Sequence, residues 1–331
     1  MNRVISLTFI LTFCLLTSGQ HIEWNTGFHG FMDNREYFNE FIEPQTIFGS
    51  RIFADVGFAV NDYNRFRAGL NYLYEFGSKG DLIVPDITMY YNGFNKYFDF
   101  YIGAFPRHGL ITHPFILLTD TLEYYRPNVE GMFLGVKSDW GYHNIWIDWT
   151  SRQTNTKRET FLIGGEGMLR KGILLYQHNF IMYHFAGPAV PIPDDHIRDN
   201  GGLTVSMGVN LSSKIFLDSL ILKSGAALSY DRIRHEYDIN FPLGWLSNLV
   251  VMHKGLGFNG VYYYGDRQIL LYGDGFYKSK NYGRIDLFYQ GNKSTRIKGK
   301  LQFSFHFVPG NIDFSQSFVI YISLSGSRTL K

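Results

Sequence analysis

The stretch RIKGKLQFSFHF at positions 296–307 sets Ile297, Gly299, Leu301, Phe303, Phe305 and Phe307 against Arg296, Lys298, Lys300, Gln302, Ser304 and His306. Side chains alternate across an extended chain, so this is a strand with one oily face and one polar face. The frame recurs. Leu203, Val205, Met207, Val209 and Leu211 oppose Thr204, Ser206, Gly208, Asn210 and Ser212. Phe66, Ala68, Leu70, Tyr72 and Tyr74 oppose a face carrying Arg65, Arg67, Asn71 and Glu75. Similar runs surround Phe98–Ile102, Met132–Val136, Ile145–Trp149, Leu220–Leu228, Ile285–Tyr289 and Phe318–Leu324, with the charges kept to one face.

A soluble β-sandwich also alternates, with its oily face buried between two sheets. Segment length separates the two cases. Many segments run about 9 to 12 residues, the span of a tilted membrane strand, whereas strands of soluble proteins centre near 5 or 6. The polar faces mix Gly, Ser and Asn with charges of both signs, as a wet lumen requires. Hydrocarbon offers no hydrogen-bond partner to a free backbone N–H or C=O, so such strands span only if the sheet closes and its first strand pairs with its last.

Composition agrees. Aromatic residues make up 18%, and 35 Gly stand against 10 Pro. A net charge of +2 with no basic block excludes a nucleic-acid footprint. The start MNRVISLTFILTFCLLTSGQ has Arg3, an apolar run from Val4 to Leu16, and small residues before Gln20. This is the form of a cleaved export signal over residues 1–19, leaving residues 20–331 as a single barrel domain. The apolar run is well under the roughly 20 residues of a spanning helix, and Thr12 and Phe13 before Cys14 do not suit a lipidation site. Cys14 is the only cysteine, so the mature chain is expected to carry no disulfide and no Cys-based metal site.

Short turns at Asn61–Asn64, Gly93–Lys96, Asp139–Tyr142 and Arg170–Gly172 alternate with longer connections at Glu36–Gln45, Gly77–Pro85, Pro106–Glu130 and Ala186–Gly201. A barrel with a periplasmic N-terminus keeps its periplasmic turns short and its outer loops long. A plain count gives 17 segments where single-chain bacterial barrels have an even number. Merging Trp245–His253 with Gly257–Tyr264, the weakest division, gives 16. The expected fold is therefore all-β: a transmembrane antiparallel up-and-down β-barrel of about 16 strands, with 14 to 18 open.

With these features, the chain resembles a Gram-negative outer-membrane β-barrel of porin-like size. FMDNREYF at 31–38 and GAFPR at 103–107 are similar to Bacteroidetes-type barrels. Such barrels often end on an aromatic residue, whereas this sequence ends Ser327, Arg328, Thr329, Leu330, Lys331. The resemblance implies an outer-membrane location, membrane lipid as a partner, small hydrophilic solutes as cargo, and a homo-oligomer as an option.

The polar face assigned to the lumen carries Arg51, Asp55, Arg65, Arg67, Glu75, Asp99, Lys137, Asp148, Lys223, Asp231, Arg284, Asp286, Lys298 and Lys300. The signs nearly balance, which predicts no simple charge selectivity. The connection from Arg107 to Gly131 is long for a structureless loop, and its Arg107, Asp120, Glu123 and Arg126 suit a constriction folded into the pore. A solvated outer loop and a hidden short strand at Phe115–Leu118 are the other readings. Gly255, Gly257 and Gly260 match G-x-G-x-x-G, but VYYYG follows where a dinucleotide site needs a helix, so no cofactor is expected.

The expected function is a porin-like channel for passive or weakly selective diffusion of small solutes, without covalent chemistry. Two alternatives remain. PIPDDHIRDN, with Asp194, Asp195, His196 and Asp199, is either an exposed acidic loop or the rim site of a barrel hydrolase, where carboxylates beside an imidazole activate water or hold a divalent cation. Ser304 and His306 lie roughly 7 Å apart on one strand face, too far for a nucleophile and its base. The other alternative is a non-conducting surface-binding or structural barrel whose lumen is filled with salt bridges.

Overall fold

The computed structural model describes residues 20–78, 84–193, 195–291 and 294–329. The expected signal at 1–19 and Asp194 lie outside them. Among the described residues, sixteen antiparallel strands form one closed barrel in sequence order. The first eight are β1 (His21–Glu36), β2 (Gln45–Asn61), β3 (Asn64–Glu75), β4 (Asp86–Phe94), β5 (Phe98–Pro106), β6 (Asn128–Ser138), β7 (Gly141–Ser151) and β8 (Thr160–Lys171). They continue as β9 (Leu174–Phe185), β10 (Arg198–Asn210), β11 (Ser219–Ile233), β12 (Leu243–His253), β13 (Leu256–Gly265), β14 (Asn281–Gly291), β15 (Ile297–Val308) and β16 (Asn311–Thr329). One short helix, α1 (Thr121–Tyr125), lies between β5 and β6.

Closure runs from His21↔Thr329 to Glu36↔Phe314, so no strand edge is left unpaired in the sheet. The oily faces point outward. Leu70 is 55% exposed, Phe303 45% and Met207 70%, values that only a lipid-facing surface explains for such side chains. Residues of the alternate frame on the same strands turn inward: Asn71, Gln302, Ser304 and Thr204 are buried. The barrel is an outer-membrane barrel.

The interior is not simply wet. The β5–β6 connection sends Ile116, Leu117, Leu118 and Leu122 into the lumen, and the β13–β14 connection sends Leu270, Phe276 and Tyr277. They pack with Phe105, Val129, Trp146, Leu162, Ile181, Tyr263 and Tyr282 from the wall. The Thr119 N–H donates to the Tyr272 carbonyl at 2.7 Å and the Asp274 N–H to the Phe115 carbonyl at 2.8 Å, tying the two loops together. Phe115–Leu118 forms a turn within this plug, not a strand.

The count of sixteen holds, but the merger that produced it does not. Trp245–His253 and Gly257–Tyr264 belong to two strands, β12 and β13, paired from His253↔Leu256 to Gly244↔Gly265. The two residues between them, Lys254 at φ +49° and Gly255 at φ +86°, make the tight mirror-image turn that suits the twist of a hairpin. The glycine-rich stretch there serves this turn and strand. The surplus segment of the sequence count lies elsewhere.

Candidate functional site

Most of the charges assigned to the lumen face are paired inside the barrel. Arg107 and Asp148, 2% and 0% exposed at their side chains, form an ion pair, and Arg126 reaches the other oxygen of Asp148 at 3.3 Å. Asp120, beside α1, takes Arg35 at 2.9 Å. The fourth charge of that loop, Glu123, lies with its Oε2 3.7 Å from His108 Nδ1, and this contact holds its carboxyl below the usual range. Arg107, Asp120 and Arg126 thus anchor the inserted loop to the wall, while Glu123 ties the loop to itself.

Around the wall, Arg67 bridges Asp55 and Glu23 while Arg65 lies 3.7 Å from Glu23. Arg51 reaches Asp86 at 3.1 Å and the Tyr124 carbonyl at 2.6 Å. Glu75 accepts from the Tyr125 hydroxyl at 2.9 Å, and Asp99 lies 3.9 Å from Lys137. Arg198 holds Asp231 at 2.8 Å, and Arg284 holds Asp286 at 2.6 Å. Lys300 sits over the Phe288 ring, Lys223 donates to Gln177, and Lys298 is exposed.

A different set of polar groups lies on the outside of the barrel, at its outer rim. Trp149 on β7 is registered against Phe161 on β8, and Phe161 against His184 on β9. His184 in turn pairs with Asp199 on β10, which pairs with Arg232 on β11. Five strands thus present one row of side chains. Its members alternate with inward residues such as Tyr183, which packs against the plug, and Asn200, which is buried. His184 is the penultimate residue of β9, just below a long connection, so the row sits at the long-loop end of these strands.

Each contact along the row is close. The Trp149 and Phe161 rings are 4.9 Å apart, and Phe161 stacks on the His184 imidazole at 4.8 Å. His184 Nδ1 lies 2.7 Å from Asp199 Oδ1. The other carboxylate oxygen accepts from Arg234 Nε at 3.1 Å and Nη2 at 3.0 Å. The carboxylate therefore fixes the Nδ1–H tautomer and leaves Nε2 as a lone-pair base. The His184 side chain keeps 19% exposure.

The acidic loop at 191–200 is divided by the structure. Asp195 pairs with Arg158, His196 lies 3.5 Å from Glu236, and only Asp199 enters the rim dyad. The imidazole that meets Asp199 is His184, which comes from the neighbouring strand. Its signal in the sequence was a polar break, shared with His178, in the outward frame of Tyr176, Phe180 and Met182. Among the described residues, no group of three or more His, Cys, Asp or Glu side chains is placed to hold a metal ion.

Residues 17–330 match the lipid A 3'-O-deacylase-type family. The chain belongs to that family. This overturns the expectation of a barrel that is not an enzyme, because the family carries the name of an enzyme, a deacylase. The strand pattern that suggested a passive channel is shared by both kinds of barrel, so it carried no information about chemistry.

Among solved structures, the chain is similar to OmpT of Vibrio cholerae in its trimer form, at a TM-score of 0.58 and 7% identity, covering 92% of this chain and 100% of that one. A loop L8 deletion mutant of OmpT gives 0.57 at 8% identity, with 92% and 100% covered. The anion-selective porin of Comamonas acidovorans gives 0.51 at 8% identity, with 93% and 100% covered. These likenesses concern the fold. No curated protein matches the chain.

Proposed function

We propose that this protein hydrolyses an ester-linked acyl chain of lipid A in the outer leaflet, and that the outward row at the rim is its active site. The observation that carries the reading is the His184–Asp199 pair on the lipid-facing surface, at a height where an acyl ester of a membrane lipid would lie. A hydrogen-bonded imidazole and carboxylate there cost desolvation, and a purely structural wall would carry apolar residues instead.

The chemistry follows from the geometry. His184 Nε2 takes a proton from water, which attacks the ester carbonyl, and returns it to the departing sugar oxygen. Asp199 stabilises the imidazolium formed in between. The Trp149–Phe161 pair offers a flat apolar wall for an acyl chain, while Arg232 and Arg234 suit the anionic headgroup. Lipid A and water give a free fatty acid and a lipid with one hydroxyl more.

The test is mass spectrometry of lipid A incubated with the refolded barrel. Loss of one acyl chain is expected, and His184→Ala should lower the rate by about 10² to 10⁴-fold, the usual worth of a general base. Full activity in His184→Ala barrels that still show heat-modifiable migration would place the chemistry elsewhere.

Solute passage through the lumen is the competing reading. The plug of the two inserted loops stands against a wide aqueous path, since the apolar cluster occupies the space between the walls.

A further inference from the structure

Beneath the plug, in the periplasmic half of the barrel, lies a cavity of about 370 Å³. Lys223 and Gln177 face it with Asn179, Thr204 and Asn248 from the wall, and His113 reaches it from the inserted loop. None of the residues lining it is Asp or Glu. Lys223 is the cation at issue. Arg51, Arg67, Arg107, Arg126, Arg198 and Arg284 each reach a carboxylate within 4 Å, whereas Lys223 Nζ has only the neutral Gln177 Oε1 at 2.8 Å. Asp231, the acid on the same face of β11, is eight residues along, roughly 26 Å at 3.3 Å per residue.

Two further groups in the cavity are buried without partners. Asn179 is 3% exposed; its Nδ2 donates to Thr204 Oγ1 at 3.0 Å, but its Oδ1 accepts nothing. His113 has no hydrogen bond at either ring nitrogen. A buried acceptor and an imidazole without partners leave the wall around Lys223 short of hydrogen bonds.

We propose that this cavity binds a small hydroxylated organic anion entering from the periplasmic mouth. A carboxylate or phosphate supplies the missing counter-charge to Lys223, and hydroxyls of the same molecule meet the polar side chains of Gln177, Ser206 and Asn248 that line the cavity. The volume suits a molecule of sugar-acid or glycerol-phosphate size. The site lies inside the barrel, separate from the rim row, and does not depend on the reaction proposed there.

Calorimetric titration of the refolded full chain in a neutral detergent tests this, with gluconate, glycerol 3-phosphate and hydroxyl-free acetate as probes. Saturable one-site binding of gluconate or glycerol 3-phosphate is expected, at least tenfold tighter than acetate. Lys223→Met should weaken it at least tenfold, Lys223→Arg less than threefold, with lipid A deacylation unchanged in both. Should Lys223→Met fail to close as a barrel, wild-type protein serves: the bound anion should slow acylation of Lys223 by acetic anhydride at least threefold relative to exposed Lys298. No saturable binding of either hydroxylated probe, equal binding by closed Lys223→Met, or no protection of Lys223 overturns the proposal.

Discussion

His184 and Asp199 gain their meaning from one hydrogen bond. Replacing Asp199 by Asn keeps the shape but removes the charge that stabilises the imidazolium and no longer enforces the Nδ1–H tautomer, so turnover should fall by about 10²-fold or more while lipid affinity holds; single-turnover assays read this directly. His113 offers a test by pH. Burial, reinforced by the nearby Arg107, pushes its pKa down to about 4. The folded protein keeps this ring neutral, whereas the unfolded chain takes up a proton near pH 6.5. Its folded pKa is lowered, so this group costs stability progressively as pH falls from about 6.5 towards 4. Urea midpoints at pH 7 and pH 5 should therefore differ less in His113→Gln than in wild type.

The inserted segment between β5 and β6 is held as an element by Arg107 and Asp148. Removing one partner leaves a buried charge uncompensated, at a cost of about 3–5 kcal/mol. Asp148→Asn should release the segment while the barrel stays closed. Proteolysis from the outer side would then cleave within residues 107–127, and protection equal to wild type would count against the anchor. At the β12–β13 hairpin, Gly255→Val forces a β-branched side chain into φ near +86° and should slow barrel closure in refolding assays. The sequence pattern located these strands well, because a wall with one face in lipid and one in the lumen must alternate. It misjudged the division at Lys254–Gly255, because the first piece, Trp245 to His253, alternates poorly through Leu249, Val250, Val251 and Met252.

On the scale of the whole molecule, closure and plugging are separate properties. A lysine in place of Phe303 puts a charge on the lipid face and should cost about 2–4 kcal/mol near the bilayer midplane, seen as a lower yield of heat-modifiable protein. The plug should keep planar-bilayer conductance of wild type small. Joint deletion of residues 110–124 and 268–278 should raise it several-fold, and equal conductance would show that the loops do not block the path. The charges assigned to the lumen face are mostly paired, some with each other along the wall and some with groups that the inserted loop brings into the lumen.

Local chemistry settled the wall. Period-two alternation, strand length and the need to pair every backbone group in hydrocarbon leave a closed outer-membrane barrel as the solution, and these are legible residue by residue. The plug, the rim dyad and the lumenal cavity were decided by the tertiary structure. His184 and Asp199 are 15 residues apart in sequence and meet only through the β9–β10 register. Apolar residues of the β5–β6 loop have the same composition whether they face solvent or fill a barrel. Contacts between distant segments depend on register and loop direction, and no local period encodes either.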